Sequence, residues 1–95
     1  MNQQHDADGA IMTFVIEKVL LKIGKPEYDT VISRLETEYG CHIADYHTRL
    51  EDLKHVLSDL FGRSYETILH EIKAELGEFS SQRYYVECLR KLGSD

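Results

Sequence analysis

Apolar residues recur at spacings of three and four along most of the chain, and the glycines fall between these runs rather than within them. That is the punctuation of successive helices. The first run spans about Asp8 to Ile23, with acidic Asp6 and Asp8 near its positive N-terminal end and Gly24 as its stop. The second opens at Pro26, whose missing N–H costs nothing in a first turn, and carries Tyr28, Val31, Ile32, Leu35 and Tyr39 on one face before Gly40. Residues 41–46 have no helical period and predict an extended connector, with Cys41 and Ile43 as its inward candidates. Thr48 and Glu51 have the spacing of a capping box, which predicts a third helix with Leu50, Leu53, Leu57, Leu60 and Phe61 inward, ending at Gly62. Ser64 is placed to cap a fourth helix, with Tyr65, Ile68, Leu69, Ile72 and Leu76 inward and Gly77 as its stop. Ser80 or Ser81 is placed to cap a last one bearing Tyr85, Cys88, Leu89 and Leu92. The expectation is an all-α fold, a compact bundle of about five helices in one domain over residues 1–95, with polar tails at 1–7 and 93–95.

The first helix differs from the others. Ten of the fourteen residues from Ala10 to Ile23 are apolar, more than one core-facing stripe of roughly 100° accommodates. Met12, Ile16, Val19, Leu20 and Ile23 form one stripe, predicted to face the core. Ile11, Phe14, Val15 and Leu21 lie substantially outside it and are the interface candidates. Either the remaining helices wrap this one within a single chain, or the second set meets a partner, most economically a second copy in a two-fold homodimer.

Composition narrows the classes of function. The 42% apolar and 29% charged residues are those of a folding chain rather than a disordered one. A net charge of −6 favours solubility and disfavours attraction to DNA or an anionic membrane. Two well-separated cysteines do not make a secreted disulfide framework, so a reducing, cytoplasmic setting is expected. The acidic opening residues are unlike a signal peptide. The apolar stretch from Ala10 is too short, and too often interrupted by charge, for a membrane span of roughly 20 residues, so no membrane partner is expected.

Motifs for chemistry are incomplete. His70-Glu71 begins like a zinc-protease helix, but the second histidine would stand where the chain has Ala74. Cys41, His42, Asp45 and His47, with His55 further on, are metal-donor types at no recognised metal spacing, and no metal or other cofactor is expected. No Cys–His pair is singled out as nucleophile and base, and Cys88 lies on an apolar face, so no catalytic residue is assigned. Glu36 with Glu38, and Glu71 with Glu75, fall on polar faces, as solvating charges do. Helices three and four, joined by Gly62-Arg63-Ser64, have the outline of a helix-turn-helix. The second would present Glu66, Glu71 and Glu75 to phosphates, which disfavours DNA. Arg83, Arg90 and Lys91 form the basic cluster and are the nucleic-acid candidates.

From Lys25 to Leu76 the order of residues resembles the small signalling output domains of thaumarchaeal regulatory proteins, the Nitrosopumilus output domains. The resemblance lies in Lys25-Pro26-x-Tyr28, Leu35-Glu36-x-Glu38-Tyr39-Gly40-Cys41, Leu53-Lys54-x-Val56-Leu57 and Leu60-Phe61-Gly62-x-Ser64-Tyr65. It implies an archaeal regulatory module without catalytic residues, and it carries over no site. The leading expectation is a non-enzymatic signal-output interaction module that self-associates through its first helix. The alternatives are a DNA-associated regulator built on a helical dimer and, more remotely, a metal- or thiol-dependent enzyme.

Overall fold

The computed structural model describes the backbone of residues 3–93 and the side chains of residues 7–42, 45 and 47–93. Helix α1 spans Gln3–Ile23, α2 Lys25–Tyr39, α3 Leu50–Phe61, α4 Tyr65–Leu76 and α5 Arg83–Gly93. Short 3₁₀ segments occupy Ile43–Thr48, Gly62–Ser64 and Gly77–Ser81. The fold is all-helical, with no strand among the described residues.

The helix ends follow backbone geometry more than side-chain caps. At Gly40 a left-handed φ of 62° turns the N–H groups of Gly40 and Cys41 back onto the carbonyls of Glu36 and Leu35, closing α2 at a position where a side chain would be strained. The capping box expected at Thr48 does not form. The Thr48 hydroxyl donates to the Asp45 carbonyl inside a 3₁₀ segment, where an extended connector was expected, and Arg49 takes the cap position of α3. Arg49 spans two elements, donating from Nε to Asp52 at 2.7 Å and from Nη2 to the Tyr39 carbonyl at 3.1 Å, a cation on the negative end of α2. Ser64 likewise makes no cap bond, and Ser80 and Ser81 donate to the carbonyls of Gly77 and Glu78 rather than to α5. At Thr48, Ser80 and Ser81 a tight 3₁₀ turn satisfies the hydroxyl before the helix starts.

Helix α1 begins at Gln3 rather than at about Asp8, so residues 3–7 of the expected tail are helical. Its early turns are held by tertiary contact. Asp8 accepts a hydrogen bond from the Tyr85 hydroxyl at 3.0 Å, and Gly9 lies against the His47 ring. The acidic residues marked the favourable end of a helix, not its boundary.

The core joins Met12, Val15, Ile16, Val19 and Leu20 of α1 to Val31 and Leu35 of α2, Leu53, Val56 and Leu57 of α3, Ile68 and Ile72 of α4, and Tyr85, Cys88 and Leu92 of α5. Burial of each large side chain is worth roughly 1.5–3 kcal/mol, which makes these side chains, rather than the exposed ion pairs, the source of stability. Three inward assignments shift. Val15 is 6% exposed and belongs to the core, because 12, 15, 16 and 19 complete the stripe at spacings of three and four. Ile23, expected inside, is 42% exposed in the last turn beside the reversal at Gly24. On α3, Val56 takes the buried place and Leu60 stays exposed. Cys41 is buried as expected; the side chain of Ile43 lies outside the described residues.

Helix α1 packs on α2, the Ile43–Thr48 segment and α4, while α3 packs on α2 and α5, and α4 on α5. On the side of α1 away from these partners Phe14 and Leu21 stay exposed. The radius of gyration, 12.5 Å, is that of one compact domain of this length, about 12.4 Å. No helix among the described residues is long and apolar enough to cross a membrane.

Candidate functional site

Two surfaces stand out, and the first is the outer side of α1. Phe14 is 61% and Leu21 46% exposed, seven residues apart and so two turns along one face. Between them stand Glu17 and Lys18, and these four with Lys22 border a groove of about 400 Å³. The polar members are engaged within the chain. Lys18 Nζ lies 3.1 Å from Glu75, and Lys22 Nζ lies 3.0 Å from Glu71 and 3.3 Å from Glu75. Hydrogen bonds from Lys18 and then Lys22 hold the Glu75 carboxyl below its usual range, and those to Glu71 and then Glu75 push the Lys22 ammonium up. The Tyr28 hydroxyl donates to Glu17 at 3.3 Å.

Of the four interface candidates, Phe14 and Leu21 are exposed on this face. Ile11 is half-buried and packs against the core, and Val15, being a core residue, cannot meet a partner. Helix α1 turns by about 100° per residue, and the direction of its inner face was set by the positions of α2 and α4.

The second surface is a cleft of about 590 Å³ along α5, bordered by Gln82, Arg83, Tyr84, Glu87, Cys88 and Lys91 on one side and by Asp8, His47 and Leu50 on the other. Leu50 and Cys88 are buried, and Tyr84 is half-buried beside them. Burial pushes the Cys88 thiol up, and burial likewise raises Tyr84. His47 is set by packing: its Nδ1 is 3.4 Å from the buried Thr13 hydroxyl, and a Cβ added at Gly9 would stand 2.5 Å from its ring. Only a glycine leaves the ring its place.

The nucleic-acid candidates do not make one basic surface. Arg83 and Lys91 border the cleft with Glu87 between them, and Arg90 pairs with Glu87. Arg90 is the main cause, ahead of Arg83 and Lys91, of the lowered Glu87 carboxyl. A carboxylate thus interrupts the cluster where a phosphate backbone would lie.

The donor-type residues are dispersed. Cys41 is buried, its thiol pushed up by burial and donating to the His42 carbonyl. His42 is exposed with Nδ1 3.8 Å from Glu36, Asp45 is exposed, and His47 faces Thr13. His55 lies in a separate hollow with Glu51, Lys54, Ser58 and Asp59, and His70 is exposed on α4. Among the described residues no group of three or more His, Cys, Asp or Glu side chains converges on a metal-sized point. Both cysteines are free.

Sequence reasoning missed the bridge from α1 to α4, where Glu71 and Glu75 were read as solvating charges. The signal was present: Lys18 and Lys22 are four apart, and so are Glu71 and Glu75, which matches two helix faces of opposite sign. The chain matches no protein-family profile, no curated protein and no solved structure.

Proposed function

We propose that this protein is a non-enzymatic regulatory interaction module, a five-helix bundle that binds a second copy of itself through the outer face of α1. The observation that carries this reading is the self-complementarity of that face. Phe14, Glu17, Lys18 and Leu21 stand at i, i+3, i+4 and i+7, the arrangement of four residues that receives one protruding side chain in helix–helix packing, and they border the groove. Phe14 is itself the most exposed large apolar side chain among the described residues. A two-fold contact requires the protrusion and its receptor on the same surface, and this face has both. An antiparallel approach that seats each Phe14 in the other copy's groove brings each Leu21 over Ala10 and Ile11 of that copy. Glu17 and Lys18 then flank the ring with opposite charges and aliphatic stems.

The regulatory part of the reading is supported by the resemblance over Lys25–Leu76, and a protein partner by the net charge of −6. Sedimentation velocity across the micromolar range tests it. The chain is expected to dimerise with rising concentration, and Phe14→Asp to remain monomeric with a thermal midpoint close to that of the wild-type chain at dilutions where it is monomeric. Val86→Asp, at an exposed apolar position on α5, is expected to dimerise normally. A wild-type chain that stays monomeric, or a Phe14→Asp variant that still dimerises, overturns the proposal.

A further inference from the structure

The cleft along α5 is independent of the α1 face, and its chemistry is asymmetric in a way that points to a ligand. Its two carboxylates are already engaged: Asp8 accepts from the Tyr85 hydroxyl, and Glu87 pairs with Arg90 outside the cleft. Among the described residues neither Arg83 nor Lys91 has an ion pair with a carboxylate, although both lie close enough to Glu87 to lower its carboxyl. They stand eight residues apart on one face of α5, which sets them about 12 Å apart along the wall. Glu87 stands between them and Asp8 and His47 opposite, while Leu50, Cys88 and the ring of Tyr84 form the apolar part of the lining, and the volume of about 590 Å³ lies within the usual range for small-molecule sites.

We infer that this cleft binds a small monoanionic amphiphile, a carboxylate with a short apolar body, whose head pairs with Arg83 or Lys91 while its body covers Leu50, Tyr84 and Cys88. The two cations and two carboxylates of the lining balance, so the cleft suits at most a single negative charge. Arg83 or Lys91 supplies one favourable charge-assisted pair, whereas Glu87 and Asp8, which border the same cleft, oppose the second charge of a dianion such as phosphate. The apolar floor selects a ligand with hydrocarbon to bury rather than a bare inorganic anion.

Titration of the full ¹⁵N-labelled chain with octanoate, octanol and octylamine tests the inference by amide shifts. Octanoate is expected to shift Leu50, Tyr84 and Cys88 at millimolar concentration and to bind at least about tenfold more tightly than octanol or octylamine, as a charge-assisted pair requires. Arg83→Gln combined with Lys91→Gln should remove that preference while leaving octanol unchanged. Lys25→Gln, at the start of α2, should leave it intact. Both changed side chains are exposed, so the fold is retained, and an unchanged amide spectrum in the free variant checks this. Equal binding of octanoate and octanol, shifts centred on Phe14 and Leu21 instead, no shift at all, or an octanoate preference that survives the double substitution would each overturn the inference.

Discussion

Helices α1 and α5 make the same kind of contribution to the interior and opposite kinds to the surface. Each turns an unbroken stripe inward: Met12, Val15, Ile16, Val19 and Leu20 on α1, and Tyr85, Cys88 and Leu92 on α5. Outward, α1 shows Phe14 and Leu21 with its charged neighbours tied to α4, whereas α5 shows Arg83, Glu87, Arg90 and Lys91 with Val86 among them. An amphipathic helix such as α5 needs nothing further to be soluble. Helix α1 adds exposed Phe14 and Leu21 among its outer charges, and that is the face proposed above for association.

The sharpest way to break this comparison is to place one charge on each side of α1. Val15→Asp buries an unpaired carboxylate at a 6% exposed position and is expected to cost about 4 kcal/mol or more, enough to leave the chain largely unfolded in urea titrations. Phe14→Asp, one residue away, should change monomer stability by less than about 1 kcal/mol. Equal losses would mean that both sides of α1 are core.

On α5 the corresponding contrast is Leu92→Ala against Val86→Ala. The first opens a cavity at a fully buried position and should cost about 2–5 kcal/mol, while the second should stay within about 0.5 kcal/mol by the same measurement. A smaller effect is expected where α4 is fastened to the end of α5. The Tyr65 hydroxyl donates to the Leu92 carbonyl at 2.5 Å in a buried setting, so Tyr65→Phe should cost roughly 1–2 kcal/mol.

The smallest effect concerns the outer flank of α1. Glu75 is held below its ordinary 4.5 by Lys18 and Lys22, so its contribution is present above that value and lost as pH falls through the lowered one. Glu75→Gln should therefore flatten the acid limb of the stability profile slightly and leave neutral stability almost unchanged, since the pair is exposed. A steeper acid limb in the variant would contradict that sign.

Much of the fold was legible because helical spacing repeats: Val31 and Leu35, Ile68 and Ile72, and Tyr85, Cys88 and Leu92 were all placed inward from period alone. The caps were not legible. Thr48, Ser64, Ser80 and Ser81 have the right chemistry for N-caps, yet 3₁₀ turns use the hydroxyls of Thr48, Ser80 and Ser81 locally and Ser64 makes no cap bond, a choice that depends on where the next helix must start. Of the candidate site, the surplus of apolar residues on α1 was visible, but Val15 and Ile23 exchanged sides. The cleft was not visible, since Asp8, His47, Leu50 and Lys91 are distant in the chain.

By itself the sequence determined that this chain folds into helices, that glycines divide them, and that ten of the fourteen residues from Ala10 to Ile23 are apolar. Those properties are local or additive, and they follow from side-chain period and composition. Only the tertiary structure decided which arc of α1 is covered, that Lys18 and Lys22 meet Glu71 and Glu75, and that Gly9 makes room for His47. These depend on how rigid helices cross. A rotation of one residue about a helix axis moves a side chain by 100°, and the energy that selects the rotation comes from packing with helices remote in the chain.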